Sequence, residues 1–338
     1  MRREAKISVR HVPERIISFI EASLGEIELS KILPLLNVPM KYSISSGGKR
    51  LRPIICTLSA ELVNGDIHDT KEVITAVELL HSASLVHDDI IDDDLYRRGK
   101  LSVPEKFGSK RAVLVGDSLF SLGLKYAAKT GKPKVVELLA GACLKMAQGI
   151  VLQSYNRSKL ITEEEYLQMN YLKSGSLFEA SATLGGIMAL SSVKGLTKLS
   201  RFGRFFGNAY QVFDDICDTL VVEKGSNDLQ KGDISLPFIY ALNSDIQEST
   251  KSVLLDSYTG NIDPDMIEIQ RIFHESGAID KSVEKMQHFA SKARDVLEYF
   301  NDSEAKSVLN YLLDEYNTEV NIDSYMESSL FQFITRKL

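Results

Sequence analysis

Apolar residues recur at helical spacing along almost the whole chain, whereas segments that alternate with a period of two are scarce. The first clear set on one helical face is Ile16, Ile20, Leu24 and Ile27. The pattern predicts two long helices, over about 70–94 and 199–222. The first of them has Asp69 and Glu72 spaced as a capping box before it. The chain is therefore predicted to be mostly α-helix.

Nothing in the sequence marks a boundary between domains. The chain shows no internal repeat of 20–50 residues and no linker rich in Ser, Gly or Pro. A helix over 70–94 would be about 36 Å long, enough to cross a whole domain. We therefore expect one large all-α domain over 1–338, built as a bundle of long antiparallel helices.

Composition and charge exclude several classes of protein. Hydrophobic residues make up 44% and charged residues 25% of the chain, as in an ordinary soluble protein rather than a disordered or collagen-like one. The formal net charge of −6 gives no basic field, so we expect no nucleic-acid partner. Cys56, Cys143 and Cys217 lie too far apart for a zinc site or a CxxC motif. We expect a reduced, cytoplasmic protein.

Membrane segments are not expected either. The first twenty residues are too rich in charge for a signal peptide. The most apolar windows, 135–152 and 177–193, are interrupted by polar residues such as Glu137, Lys145 and Glu179. Both windows are predicted to be helices inside the bundle, and no transmembrane segment is expected.

The strongest chemical signal is a pair of acidic motifs on the two long helices. The first, DDIIDDD at 88–94, places five carboxylates in seven residues, a costly arrangement unless something positive binds there. The second helix repeats DDxxD with Asp214, Asp215 and Asp218, and Gln211 falls on the same stripe. Facing each other, the two motifs would present oxygen ligands of the kind that Mg²⁺ shares with substrate phosphates. The spacing therefore favours a magnesium and diphosphate site over a solvated acidic surface.

Short basic clusters supply the cations that a phosphorylated ligand needs. The segment GGKRLRP at 47–53 places three positive charges beside two glycines, where backbone and arginine can both approach an anion. Arg97 and Arg98 follow the first acidic motif directly. The P-loop pattern GxxxxGK[ST] is absent, so a P-loop nucleotide site is excluded. His81 lies seven residues before Asp88, and the residues alone leave open whether it is a ligand or a core histidine.

Taken together, these motifs resemble the all-trans isoprenyl diphosphate synthases over about residues 20–317, with 318–338 as a C-terminal extension. The matching segments, in order, are GGKRLRP at 47–53, His81 with HDDIIDD at 87–93, RRG at 97–99, AVLVGD at 112–117, Gly149 with Gln153, Lys173-Ser174, YQVFDDICD at 210–218 and DLQKGDISLP at 228–237. The resemblance implies the isoprenoid synthase fold, a homodimer, and a central cavity that holds three Mg²⁺.

The resemblance also implies roles for individual residues. The implied magnesium ligands are Asp88, Asp92 and Asp214, with Asp89, Asp215 and Asp218 ligating or supporting them. The implied ligands of the allylic diphosphate are Arg97 and Lys173, and those of isopentenyl diphosphate are Lys49, Arg52, His81 and Arg98. Gln211 and the backbone near Lys173-Ser174 would stabilise an allylic carbocation. The implied reaction is a head-to-tail condensation that lengthens a prenyl chain.

Two positions depart from the family pattern. The last motif often contains GKxTLP, whereas this chain has Asp233 in place of the lysine. A carboxylate cannot bind diphosphate directly, so Lys231 or Lys224 is expected to substitute. Ser174 replaces the commoner threonine and keeps the hydroxyl. Arg336 and Lys337 in the extension receive no firm role.

Product length in this family depends on what blocks the cavity beneath the first acidic motif. The positions five and four residues before Asp88 are Ala83 and Ser84, both small, where fifteen-carbon synthases usually carry aromatic residues. The next possible floors, one helical turn of 5.4 Å apart, are Leu80 and Val77. We expect a product longer than fifteen carbons, in the range of twenty-five to thirty-five, with twenty also compatible.

Two other functions remain open from the sequence. A class I terpene cyclase shares the fold and the first DDxxD, but it needs no isopentenyl site and its second metal motif differs. A non-catalytic subunit that sets product length in a heteromer would tend to lose its aspartates. This chain keeps both acidic motifs.

Overall fold

Fifteen α-helices account for most of the residues that the computed structural model describes, namely 9–219, 229–263 and 265–314. They are α1 (Glu14–Gly25), α2 (Pro34–Ile44), α3 (Leu51–Leu62), α4 (Lys71–Ile91), α5 (Val103–Phe107), α6 (Ser109–Lys129), α7 (Pro133–Asn156), α8 (Glu163–Asn170), α9 (Ser176–Met188), α10 (Val193–Thr219), α11 (Leu236–Leu242), α12 (Glu248–Tyr258), α13 (Met266–Glu275), α14 (Ala278–Leu297) and α15 (Glu304–Asp314). The all-α fold class predicted from periodicity is confirmed.

A few shorter elements join the helices. They are 3₁₀ turns at Ile67–Thr70 and Leu229–Lys231, a π-helix at Tyr171–Gly175, and an antiparallel ribbon of β1 (Tyr96–Arg97) and β2 (Lys100–Leu101). The ribbon follows the first acidic motif, and the π-helix joins α8 to α9. Each of these short elements presents a residue that the sequence singled out.

The bundle is organised around α4 and α10. Helix α4 packs along α6, and α10 packs between α9 and α14. The middle of α4 is buried on nearly every side, which is typical of a central helix rather than a surface one. Because the two acidic motifs occupy the last turns described for these helices, the bundle carries both carboxylate sets to one end.

The two long helices differ in extent from the prediction. Helix α4 ends at Ile91 instead of 94, because Asp92 caps it and Asp93 turns the chain with a φ of 51°. The predicted capping box is wrong: Thr70 is the N-cap without a side-chain hydrogen bond, and Asp66 instead caps the preceding 3₁₀ turn. Helix α10 begins six residues early, at Val193, and the predicted end at 222 lies outside the described residues.

Helix α7 is the one helix of the described ranges that is long and apolar enough to cross a membrane by length and composition alone. Core helices of water-soluble proteins meet the same two criteria. One side of α7 lines the cavity described below through Met146, Ile150 and Gln153. Only 28% of its most apolar window is buried, so much of the helix is uncovered in a single chain.

Candidate active site

A single cavity at the acidic end of the bundle collects most of the residues that the sequence predicted. The predicted residues that line it are Lys49, Arg52, His81, Ser84, Asp88, Arg97, Arg98, Lys173, Gln211, Asp214, Asp215 and Asp218. They come from segments as far apart in sequence as the loop before α3 and the end of α10. The predicted meeting of two acidic motifs and a basic cluster is therefore observed.

The first acidic motif is held by cations from outside its helix. Arg97, on β1, donates to Asp89 at 2.7 Å and to Asp94 at 3.0 Å. Arg157, in the loop after α7, donates to Asp92. Asp89 and Asp92 stand beside the cavity rather than on its lining. Asp88 does line the cavity, with the ammonium of Lys173 3.9 Å from its carboxylate.

Burial and these cations act in opposite directions on the carboxylates. Burial raises the pKa of Asp89 to about 6, although the neighbouring Arg97 lowers it. Burial also works to raise the pKa of Asp92, but Lys173, Lys231 and Arg157 outweigh it and hold that pKa below its usual value. Asp92 is therefore kept ionised by its neighbours.

Two neutral donors support Asp215 of the second acidic motif. Gln211 donates its side-chain N–H to Asp215 at 2.8 Å, four residues along α10. Tyr166, fully buried on α8, donates its hydroxyl to the other oxygen of Asp215. Asp214 and Asp218 line the cavity on the same helix. These contacts orient Asp215 while the motif faces the basic residues across the cavity.

The glycine-rich loop before α3 brings backbone close to a guanidinium. Gly48 has a φ of 122°, and a Cβ there would lie 2.5 Å from Nη1 of Arg98. Arg98 donates to the carbonyl of Gly47. The positive φ favours glycine at position 48, and the loop and the arginine after the first acidic motif form one basic wall, with Lys49 beside them.

Arg52 and His81 form the inner part of that wall. The guanidinium of Arg52 lies 4.4 Å from the ring centre of Phe178, and its Nη1 is 3.2 Å from Nε2 of His81. Burial and then the surrounding arginines lower the pKa of His81 well below its usual value, so the ring is neutral. Since arginine can only donate, Nε2 accepts and Nδ1 carries the proton.

One N–H donor of Arg52, its Nε, is buried and makes no hydrogen bond among the described residues. A buried donor without a partner costs about 1–3 kcal/mol. A bound anion would satisfy it.

The π-helix places Lys173 and Ser174 at the cavity. A Cβ on Gly149 would lie 2.3 Å from the backbone nitrogen of Lys173, so only glycine lets α7 approach this segment. Lys173 donates to the side-chain oxygen of Gln153 at 2.5 Å. Arg52 donates to the Ser174 hydroxyl at 3.3 Å. Lys173 thus lies near the acidic side of the cavity, and Ser174 contacts the basic side.

The apolar end of the cavity is lined by Ser84 and Leu85 of α4 together with Met146 and Ile150 of α7. The other three predicted floor residues, Ala83, Leu80 and Val77, are fully buried in the core and are not on the lining. Ser84 is therefore the predicted floor position that the cavity reaches in this structure.

Two departures from the family pattern can be placed in the structure. Asp233 is buried and lines the cavity, where Arg157 binds it. Lys231, one expected substitute, donates to Asp94 at 2.5 Å and so belongs to the first acidic motif. Lys224, the other substitute, and the extension with Arg336 and Lys337 lie outside the described residues.

Sequence reasoning missed several residues of the site. Arg157 and Tyr166 contact carboxylates of the first and second motif, yet they lie 65 and 49 residues from those partners. Neither stands in a recognisable motif, and helical periodicity carries no signal for a contact between distant segments. Asn170 also lines the cavity, and its side-chain nitrogen is buried without a partner among the described residues.

Known proteins match most of the length of this chain. The family model described as polyprenyl synthetase matches residues 33–275. The short chain isoprenyl diphosphate synthase of Methanothermobacter thermautotrophicus is 32% identical over 285 residues, 81% of this chain and 87% of that protein. The octaprenyl diphosphate synthase of Escherichia coli is 31% identical over 290 residues, 83% of this chain and 89% of that protein.

A solved structure extends the similarity to three dimensions. The polyprenyl synthase from Caulobacter crescentus, crystallised with calcium and isoprenyl diphosphate, superposes with a TM-score of 0.85 at 25% identity. The match covers 94% of this chain and 98% of that one. The fold is thus the all-α isoprenoid synthase fold.

The fold and the family match define a prenyltransferase of a family whose enzymes depend on a divalent metal ion. The chain belongs to the polyprenyl synthetase family, as its resemblance to the trans-prenyl diphosphate synthases predicted. Because the relatives above include both a short-chain and an octaprenyl synthase, membership does not fix the product length.

Proposed function

We propose that this chain condenses isopentenyl diphosphate head-to-tail with an allylic diphosphate, with Mg²⁺, and releases an all-trans prenyl diphosphate longer than fifteen carbons. The observation that carries the proposal is the single cavity that holds two acidic motifs, a basic wall and an apolar end. We take residues 1–338 as one synthase domain.

The donor set fits magnesium. Asp88, Asp214 and Asp218 offer hard oxygen ligands on one cavity. Within the described ranges, no three potential ligands already converge on one point. Mg²⁺ commonly binds one or two carboxylates and completes its shell with substrate phosphates and water, so a diphosphate between the motifs would complete the site. Three Mg²⁺ per site are proposed, shared between the first motif with Asp89 and Asp92 and the second with Asp215.

The residues around the cavity bind the two diphosphates on separate sides. Arg97 and Lys173 lie beside the first acidic motif and are assigned to the allylic diphosphate. Lys49, Arg52 and Arg98 form the basic wall and are assigned to isopentenyl diphosphate. His81 orients Arg52 through Nε2, and the unsatisfied Nε of Arg52 is a donor for a phosphate oxygen.

Bond-making then follows from this placement. Mg²⁺ held by Asp88, Asp214 and Asp218 would neutralise the diphosphate and so stabilise it as a leaving group. The bond between the allylic C1 and its oxygen breaks, and the double bond of isopentenyl diphosphate attacks C1 through its C4. Gln211 donates its N–H to Asp215, so its amide oxygen is the end available to the allylic cation, as is the Ser174 hydroxyl. The released diphosphate accepts the proton lost from C2, so no protein base is required.

One assay tests this proposal. The purified chain is incubated with labelled isopentenyl diphosphate, Mg²⁺ and each allylic starter, and the product mass is measured. Consumption of isopentenyl diphosphate with products that grow in steps of five carbons supports the proposal. Formation of a cyclic hydrocarbon without that consumption would identify a terpene cyclase. Activity that arises only after a partner subunit is added would identify a component of a heteromeric synthase.

The product range of twenty-five to thirty-five carbons is proposed from the small residues beneath Asp88. Ser84 reaches the cavity and Ala83 lies beside it on α4. Replacing both with Phe should shorten the product to about fifteen carbons, since one turn of α4 is about 5.4 Å. The matched control is Ser252→Phe on the exposed side of α12, for which we expect no change in product mass. An unaltered distribution in the double variant would overturn this floor.

Homodimer formation is proposed through α6 and α7. Several large apolar residues on these neighbouring helices are exposed: Leu114, Leu144, Val151 and Tyr155. A second copy offers the same apolar face, which is the usual basis of a two-fold interface. The mass in solution, measured by light scattering, should be twice that of the chain, and Leu144→Glu should lower it to one copy. A monomeric native protein would refute this assignment.

A further inference from the structure

The loop after α7 is fixed to the loop that carries Asp233. The backbone N–H of Ser158 donates to the carbonyl of Gly232 at 2.8 Å. Tyr258, whose ring is buried against Phe238, donates its hydroxyl to the carbonyl of Lys159 at 2.9 Å. A Cβ on Gly232, which has a φ of 68°, would lie 2.5 Å from the Ser158 hydroxyl. The two loops are therefore packed together, and Arg157 extends from their junction.

Arg157 connects the two acidic groups at this side of the cavity. Its Nε donates to Asp233 at 2.9 Å, and its Nη2 lies 3.4 Å from the other oxygen of Asp233. The same Nη2 donates to Asp92. The Arg157 side chain is 29% exposed, whereas those of Asp92 and Asp233 are 4% and 3% exposed. The guanidinium is thus aimed by two buried carboxylates while part of it stays accessible.

Asp233 alone would disfavour a diphosphate at this position. It lines the cavity, and its negative charge would repel a bound anion. Lys231 is two residues away but contacts Asp94 instead. Arg157 offsets the charge of Asp233 and still has donors to spare, because a guanidinium carries five N–H groups and its Nη1 makes no hydrogen bond within the described ranges.

We propose that Arg157 binds the allylic diphosphate, and that Asp233 is the positioning residue that aims it. The proposal rests on the function proposed above. In this arrangement Asp233 acts by orienting Arg157, which comes from another loop. Arg157 then provides the positive charge that the 228–237 segment does not itself place at the diphosphate. Asp92 holds the same guanidinium next to the first acidic motif, where the allylic diphosphate is assigned.

Calorimetric binding of inorganic pyrophosphate at saturating Mg²⁺ tests this assignment without turnover. Arg157→Gln should weaken binding by about tenfold or more, since a hydrogen bond to a charged group is removed. Arg157→Lys should recover part of the loss. In steady state, Arg157→Gln should raise the KM for the allylic starter and leave the KM for isopentenyl diphosphate unchanged. Lys159→Gln removes a neighbouring exposed charge from the same loop and should change neither value.

Asp233→Asn tests whether Asp233 orients Arg157 or only repels the bound pyrophosphate. With Arg157 present, it should weaken pyrophosphate binding several-fold because the guanidinium loses its orientation. In the Arg157→Gln background it should tighten binding, because only the repulsion remains to be removed. Circular dichroism verifies the fold of each variant.

The outcomes separate the two proposals. If the native chain does not bind pyrophosphate with Mg²⁺, the proposed function and this inference both fall. If the native chain binds and Arg157→Gln binds equally well, only the inference is overturned. Tightening by Asp233→Asn in both backgrounds would show that Asp233 merely repels the anion.

Discussion

The two acidic motifs share one cavity but are held in different ways. At the first motif, Asp89 and Asp92 are contacted by the guanidinium groups of Arg97 and Arg157. At the second motif, Asp215 accepts hydrogen bonds from the neutral side chains of Tyr166 and Gln211. Two carboxylates of the first motif thus pair with cations before any metal binds, whereas Asp215 of the second motif is oriented by two neutral donors.

The position of the first motif explains why cations stabilise it. The first motif spans the C-terminus of α4, where the helix dipole disfavours negative charge. Arginines from β1 and from the loop after α7 offset that penalty. Similar DDxxD sequences can therefore be stabilised by different kinds of contact, namely ion pairs or neutral hydrogen bonds. Substitution of the contacting residues should show the difference.

The largest effect, on turnover, is expected from removal of the proposed metal ligands, which both motifs supply. Asp88→Asn and Asp214→Asn should each lower turnover by about a thousandfold while the fold survives, because each removes a metal ligand from the same site. Turnover is measured from incorporation of labelled isopentenyl diphosphate. Asp295→Asn, on the exposed side of α14, is the control and should be unchanged. Near-normal turnover in either variant would exclude that motif from the metal site.

The next largest effect is expected on the free energy of unfolding, when a cation of the first motif is removed. Arg97→Gln leaves the buried carboxylate of Asp89 without its cation, and we expect a loss of about 3–5 kcal/mol in the free energy of unfolding. Urea unfolding in metal-free buffer measures it. Adding Asp89→Asn to that variant should restore much of the loss, because the uncompensated charge is gone.

The control for that comparison is an exposed pair. Arg271→Gln breaks a contact with Glu268 in which both side chains are well exposed, and it should cost less than about 1 kcal/mol. Equal losses in the two arginine variants would show that Arg97 does not stabilise the first motif.

How far the sequence predicts these features depends on their range along the chain. Periodicity and composition predict the helices, and the spacing within DDxxD places its carboxylates on one face, because both are local properties. The end of α4 at Ile91 was missed, since it depends on the left-handed turn at Asp93. The contacts of Arg157 and Tyr166 were missed because tertiary packing brings them to the motifs.

The pH dependence of the unfolding free energy should reflect the titration of Asp89 in the first motif. Asp89 has a pKa of about 6 in the folded protein against 3.8 as the ordinary value, with burial as the main cause. The folded state therefore binds more protons between these values. The resulting stabilisation is complete below about pH 4 and is lost as the pH rises through about 6, a change of about 2–3 kcal/mol.

The measurement compares the native chain with Asp89→Asn in metal-free urea unfolding across that pH range. The difference between the two should shrink or change sign as the pH rises, because the variant keeps a neutral group throughout. A constant difference would mean that Asp89 titrates near its ordinary pKa. Other carboxylates contribute equally to both proteins and cancel.

The smallest effect is expected at the second motif. Tyr166→Phe removes one neutral donor from Asp215, which keeps its bond from Gln211, so we expect a loss of about 1–2 kcal/mol in unfolding free energy. Tyr311→Phe, at a tyrosine on α15 that is 49% exposed, is the control and should have no measurable effect. If Tyr166→Phe costs as much as Arg97→Gln, neutral donors and cations stabilise the two motifs equally. The contrast between them would then be one of geometry and not of charge.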